Sequence, residues 1–325
     1  VPEDKTKRVL KLLLRFFVTT ALLYLVFSRI DLAQLSRSIG NANYSLLIIV
    51  WALAVLACWV RSVKMRLILK KQRCDLATGK IFAASSVMTL YGLVLPGLLS
   101  TGVKWYILKQ HTHKGSSVLS SMFYNQATDV TVKLLTGLAA IIIASPPSYP
   151  MLPAVAAVLL ALIVLAWILM LNTWTNKKIR PAVEYLLRPF PQKIQDIAET
   201  MFGQLKTFQK TGFKFHLKIL AVNLLDTILG FTSFVFAARA AAIYVPAMAL
   251  VWQGSVVYVL GRVPISIANL GVREFTLVQF LALYSIEAPT AILLSMIVFS
   301  RTILLAAIGA AFQITWAIRS KRPAS

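Results

Sequence analysis

Six apolar runs in this chain, at 9–28, 44–60, 117–144, 151–172, 217–238 and 290–318, are each long enough to cross about 30 Å of hydrocarbon. Two further apolar segments, at 81–104 and 248–284, are interrupted by proline and glycine, and they constrain the fold most. The first carries Pro96, Gly97, Gly102, Val103 and Lys104; the second carries Pro264, Gly271, Val272 and Arg273. Their separation of about 170 residues points to two repeated halves. Each segment reads as two arms of about half the spanning length, so a re-entrant hairpin is the economical assignment. Non-helical backbone survives at membrane depth only where protein buries it or a wet cavity faces it. The expected fold is therefore an all-α polytopic membrane protein with six full transmembrane helices plus two re-entrant broken-helix hairpins.

The placement of the cations orients these elements. Five Lys/Arg-rich pieces occur: the start with Lys5, Lys7, Arg8 and Lys11, then 61–80, 104–114, 177–218 and 319–322. All five fall on the cytoplasmic side if the first hairpin enters and leaves from the cytoplasm and the second from outside. The connections 145–150 and 240–246 carry no charge, as outer connections should. A full crossing by the first hairpin would instead export 177–218 with its nine cations. The two halves of the single membrane domain, 1–145 and 146–325, then start on opposite sides and form inverted repeats, a transporter architecture with its ligand site near the midplane. Both termini are expected in the cytoplasm, and the membrane to be the plasma (inner) membrane. The first run lacks a small-residue cleavage pattern and reads as a retained span. The connection 177–214 places Ile194, Ile197, Met201, Leu205 and Phe208 at helical spacing, which predicts an amphipathic helix on the cytoplasmic leaflet. A shorter outer counterpart is expected within 30–42.

With 58% hydrophobic and 14% charged residues the chain does not read as a soluble protein. Its net charge of +23 sits between apolar runs rather than on one aromatic-interleaved face, so nucleic acid is excluded as a partner and anionic membrane lipid is expected. A second copy of the chain or a lipid-synthesising enzyme is the expected protein partner. Cys58 and Cys74 make neither a disulfide framework nor a zinc site, and His111 and His113 lack a third ligand, so no metal is expected. Phosphate-binding loops, nucleophile elbows and zinc-protease motifs are missing. No catalytic residue and no cofactor are therefore assigned, and the chain is not read as an enzyme.

Ionisable residues at membrane depth are candidate functional groups because burying them is costly. They are Asp129, Lys133, Asp226 and Arg301 in full spans, with Arg262, Arg273 and Glu274 in the second hairpin and Lys104 in the first. Asp129 and Lys133 stand i,i+4 and can pair. Arg301, about 170 residues beyond Asp129, is expected to face it across the repeat axis. Asp226 has only Asn223 one turn away, so Arg262 or Arg301 is expected to neutralise it. The excess of cations favours an anionic ligand, and guanidinium forks together with broken-helix N-termini favour phosphate. Ser100, Thr101, Ser266 and Asn269 near the breaks supply neutral donors, or equally cap and turn the backbone.

The segment VPISIANLGVRE resembles the "iPiSxGGLGvrE" signature of the flippase-like membrane region of lysylphosphatidylglycerol synthases. WVRSVKMRLIL, LPGLLSTGVKWYIL and NQATDVTVKLL resemble three further segments of that family, in order. Lys104, Asp129, Ser266, Gly271, Arg273 and Glu274 match; Gly102, Gln126 and Asn269 stand where the family usually has an acidic residue, Arg and Gly. The resemblance implies movement of phospholipids, isoprenoid-linked or other amphipathic lipids between leaflets. It also leads us to expect a stand-alone member, since the sequence stops at Ser325 before any aminoacyl-transferase domain. Two other readings stay open: a membrane-embedded enzyme on a lipid-linked substrate with Glu274 or Asp129 as general base, and a non-transporting regulatory or assembly subunit.

Overall fold

The computed structural model describes residues 40, 42–95, 97–144, 149–171, 211–261 and 269–320. The expected first span at 9–28, the helix from Ile194 to Phe208, all but Gly40 and Ala42 of the outer segment, and Pro96, Arg262, Pro264 and Ser266 lie outside the described residues. The described secondary structure is helical: α1 (Tyr44–Lys71), α2 (Thr78–Gly92), α3 (Gly97–Thr112), α4 (Gly115–Ile143), α5 (Leu152–Leu171), α6 (Phe213–Ala240), α7 (Ala247–Leu260), α8 (Val272–Ala282) and α9 (Ala288–Ser320).

Four of these helices, α1, α4, α6 and α9 over Ala288–Trp316, are long and apolar enough to cross a membrane, and the chain is a multi-pass α-helical membrane protein. The 20 residues of α5 extend about 30 Å at the helical rise. The arms α2, α3, α7 and α8 have 15, 16, 14 and 11 residues. At the same rise they reach only about 16 to 24 Å, short of the hydrocarbon thickness.

Helix α1 runs past the end of its apolar stretch at Val60. The sequence from Arg61 to Lys71 has no proline or glycine and is rich in Leu, Met, Lys and Arg, all good helix formers. Lys70 and Lys71 in the last turn complement the carbonyl end of the helix before Arg73 turns the chain at φ 54°. Arg61 and Lys64 thus belong to a spanning helix rather than to a basic loop. The first hairpin also corrects an expectation: Gly102 lies inside α3, and the interruption is confined to the turn after Gly92. Gly271 does sit at the second break, with φ 81°, where the left-handed backbone favours glycine.

Helices α1 and α6 pack antiparallel along most of their length. Asn43 N donates to Ala240 O at 3.0 Å, Ser233 Oγ to Val50 O at 3.1 Å, Lys64 Nζ to Asn223 Oδ1 at 3.1 Å, and Lys71 lies over the Phe215 ring at 5.3 Å. Apart from that of α4 with α5, the other contacts come in matched pairs. Helix α2 packs along α9 as α7 packs along α4, α3 joins α2 and α4 as α8 joins α7 and α9, and α1 meets α4 and α9 as α6 meets α9 and α4. Both hairpin-to-span crossings are made at a glycine. A Cβ on Gly309 would stand 2.3 Å from Ser86 O, and one on Gly137 would stand 2.4 Å from Ser255 Cβ.

The ends of the bundle differ in charge. Lys114 Nζ reaches Arg73 O at 3.1 Å, and Phe312 and Trp316 pack with Met65, Leu69 and Leu108, so the outer ends of both α2 and α3 lie at one end with the tail of α9. Lys70, Lys71, Lys80, Lys109 and Lys114 are exposed there. At the opposite end, Tyr284 Oη donates to Ala144 O at 3.4 Å, and Arg239 is turned back onto Ile243 O and Val245 O.

Candidate functional site

Halfway along the bundle, α1, α4 and α6 turn charged side chains toward one another, and α7 adds the Tyr258 hydroxyl. Asp129 lies near the middle of α4 and Asp226 near the middle of α6, each 3% exposed. Lys133, one turn after Asp129, bridges them: its Nζ is 2.8 Å from Asp129 Oδ1 and 2.9 Å from Asp226 Oδ2. Lys64 Nζ stands 3.4 Å from Asp129 Oδ1, and Arg61 Nε 3.2 Å from Asp226 Oδ1. Tyr258 Oη donates a short hydrogen bond to Asp129 Oδ2, and its ring lies under the Lys133 ammonium at 4.6 Å. Low dielectric strengthens each of these contacts and equally penalises any member left alone.

The structure therefore confirms the Asp129–Lys133 pair and corrects its surroundings. Asp226 is neutralised by Lys133 and Arg61, not by Arg301. Asn223 turns away from Asp226: its amide donates to Thr128 O at 2.8 Å and its carbonyl accepts from Lys64. Arg301 does not meet Asp129. It donates from Nη1 to Ser233 Oγ at 3.1 Å and from Nε to Val298 O at 3.3 Å, and no carboxylate among the described residues is within ion-pair distance. Arg61, Lys64 and Tyr258 were not legible as site residues from sequence. The one signal for Arg61 and Lys64 was the unbroken helical composition beyond Val60, which carries Lys64, three positions past Arg61, into the interior; Tyr258 had none.

A cavity of about 310 Å³ opens beside this network, with Arg61, Lys133, Asp226 and Arg301 among its charged lining and Phe231, Phe234 and Leu305 among its apolar lining. Thr227, 2% exposed, also lines it, and its hydroxyl has no hydrogen-bond partner among the described residues. Lys104 stands within electrostatic range of Cys58, Arg61, Lys64 and Asp129. In the network, Arg61, Lys64 and Lys133 face two carboxylates, leaving one positive charge over. Lys104 and Arg301 raise that surplus to three.

The second break forms a separate cluster. Glu274 Oε2 accepts from Gly271 N at 2.7 Å, closing the first turn of α8. Glu274 Oε1 accepts from Arg273 Nη2 and, at 2.7 Å, from Ser295 Oγ. Arg273 Nε donates to Ser295 Oγ at 2.6 Å, and its guanidinium lies over the Phe299 ring at 5.0 Å. These bonds fasten the broken segment to α9. Asn269 adopts φ 60° with its side chain against Gly261, and its carbonyl accepts from Arg273 N at 3.2 Å, which is turn chemistry. Ser100 is buried in α3 with its side chain against Gly92, holding the first hairpin closed, whereas Thr101 is exposed.

No group of three or more metal-ligating side chains occurs among the described residues. A family profile described as the lysylphosphatidylglycerol synthase TM region matches residues 12–309. No curated protein and no solved structure matches the chain.

Proposed function

The chain belongs to the family of lysylphosphatidylglycerol synthase TM regions, and we propose that it is a lipid translocase that passes a phosphate-bearing lipid between the leaflets of the plasma membrane. The observation that carries this reading is the excess of cations in the cavity wall, where Arg61, Lys133 and Arg301 face the single carboxylate of Asp226. A cation without its own counter-ion at membrane depth is costly, and an oxyanion seated between Arg61 and Arg301 removes that penalty. The apolar part of the lining suits the glycerol or prenyl neck of a lipid whose chains remain in the bilayer.

The packing supports alternating access between inverted repeats. Helices α1 and α6, each of 28 residues, start the same distance before α2 and α7, at Tyr44 and Thr78 and at Phe213 and Ala247. Two equivalent helices packed antiparallel are related by a twofold axis perpendicular to their length, hence in the membrane plane. In this reading the arms α2/α3 and α7/α8 are re-entrant and open to opposite sides, with six full spans around them. The basic end of the bundle and both termini lie in the cytoplasm. Cysteines introduced at Lys114 and Tyr244, both exposed, should be labelled by an impermeant maleimide from opposite sides; labelling from one side would sink the topology. The native thiols give little background, since Cys58 and Cys74 are buried and burial pushes the Cys74 thiol above its ordinary pKa.

An enzymatic role finds less support. Both candidate bases are committed, Glu274 to a helix start and an ion pair, and Asp129 to three donors. In liposomes containing a headgroup-intact fluorescent phosphatidylglycerol, the purified chain should bring the probe to the opposite leaflet without covalent change. A well-folded reconstituted protein that moves no phosphate-bearing lipid would overturn the reading in favour of an assembly subunit, and a covalently altered probe would favour an enzyme.

A further inference from the structure

Arg61 is only half engaged. Its side chain is 41% exposed, toward the cavity, and both of its contacts use Nε: 3.2 Å to Asp226 Oδ1 and 3.3 Å to Ala57 O. Its two Nη nitrogens, the fork that matches two oxygens of a phosphate, have no partner among the described residues. Arg301 lines the same space. Asp226 meanwhile has a second, closer partner in Lys133 at 2.9 Å, so it keeps an ion pair if Arg61 turns away.

We propose that Asp226 is a displaceable internal counter-ion that latches an oxyanion site made by Arg61 and Arg301. In the latched state Asp226 holds Arg61. An arriving phosphate group, whether a phosphodiester headgroup or free phosphate, takes the Arg61 fork beside Arg301, while Asp226 stays on Lys133. Arg61 keeps one anionic partner throughout, because its carboxylate contact is replaced by a phosphate contact, and the incoming negative charge offsets the local excess of cations. The empty translocation pathway therefore never exposes a bare Arg61. This inference rests on the translocase reading and adds to it a rule for when the site opens.

A latch has an unusual mutational sign. A site closed nine-tenths of the time binds about tenfold more weakly than its open form, so removing the latch tightens binding. The full-length chain in maltoside is titrated calorimetrically with inorganic phosphate and with dihexanoyl phosphatidylglycerol. Asp226→Asn is expected to bind about tenfold more tightly than wild type, and adding Arg61→Gln is expected to remove the gain. Asp226→Glu, whose longer side chain reaches further onto the Arg61 fork, is expected to bind more weakly than wild type. Tightening with both probes supports an oxyanion latch, and tightening with the lipid alone supports the latch with a lipid headgroup as its source. Weaker or unchanged binding by an Asp226→Asn variant that unfolds at the wild-type temperature overturns the latch. If Asp226→Asn does not fold, Asp226→Glu decides: binding unchanged or tightened overturns it. Should neither wild type nor either variant bind either probe, the anion cavity itself fails, and the translocase reading with it.

Discussion

Lys133→Met should destabilise the folded protein by about 3 to 5 kcal/mol, the range for stranding partners of a buried ion pair. The substitution keeps an unbranched apolar stem in nearly the same volume, so packing changes little and the loss is electrostatic. Lys133 is the only described cation that contacts both carboxylates at hydrogen-bond distance, 2.8 Å to Asp129 and 2.9 Å to Asp226. Without it, Asp129 retains Lys64 at 3.4 Å and Asp226 retains Arg61 at 3.2 Å. Each is then held by a single, longer ion pair, with Tyr258 still donating to Asp129, while the two like charges face each other without the cation between them. Lys64→Met is the control. It removes one contact to Asp129 and one to Asn223 but leaves the bridge in place, so its loss should be clearly smaller. Denaturant unfolding in mixed micelles measures both; equal losses would show that Lys133 is one cation among several and not the bridge.

The arrangement also explains which parts of the molecule were legible in its sequence. Apolar length located the long helices and the interrupted pairs, because hydrocarbon thickness acts on every residue of a run. It did not locate the end of α1. A basic residue after an apolar run reads as the water boundary, yet Arg61 and Lys64 face carboxylates from α4 and α6 that lie about 65 and 160 residues away in the chain, a separation that no local pattern encodes. The same limit applies to Asp226. Its absence of a partner within α6 was correctly read, but the partner came from α4 and α1 rather than from the later half. Gly102 and Gly271 occupy similar places in similar sequences, and only Gly271 takes a left-handed backbone. A glycine before Val and a cation fits a helix interior as well as a break. Under the inverted repeat proposed above, Arg301, 172 residues after Asp129, and its partner Ser233, 169 residues after Lys64, would be the counterparts of Asp129 and Lys64. The contact is retained with the chemistry exchanged, which is why charge matching pointed to the wrong pair.

The glycines at the two hairpin-to-span crossings should behave differently although their positions match. Among 14 glycines, Gly137 and Gly309 had no sequence feature that set them apart. Small residues at helix crossings in membranes let backbones approach closely, because dispersion rather than water exclusion drives the association. A Cβ on Gly309 meets backbone: Ser86 O at 2.3 Å, Ser86 C at 2.5 Å and Val87 N at 2.8 Å. A Cβ on Gly137 meets a side chain: Ser255 Cβ at 2.4 Å and Oγ at 2.6 Å. Gly309→Ala must therefore push α2 off α9, with a loss at or above the roughly 1 to 3 kcal/mol of ordinary overpacking. No substitution at Ser86 can relieve it, because the obstructing atoms belong to every residue type. Gly137→Ala should lose a comparable amount, but Ser255→Gly removes both obstructing atoms, so the double variant should recover most of the stability. Gly102→Ala, with nothing within 4 Å, calibrates the series and should gain up to about 1 kcal/mol from helix propensity. A double-variant cycle read by unfolding and by lipid movement tests this. Rescue of Gly309→Ala by Ser86→Gly, or failure of Ser255→Gly to rescue Gly137→Ala, would mean that the crossings are not held at these contacts. If they are, each hairpin is clamped to the last span of the opposite half. In the alternating-access reading proposed above, the bodies that shift would then be a hairpin together with the other half's final helix, not the two halves of the sequence.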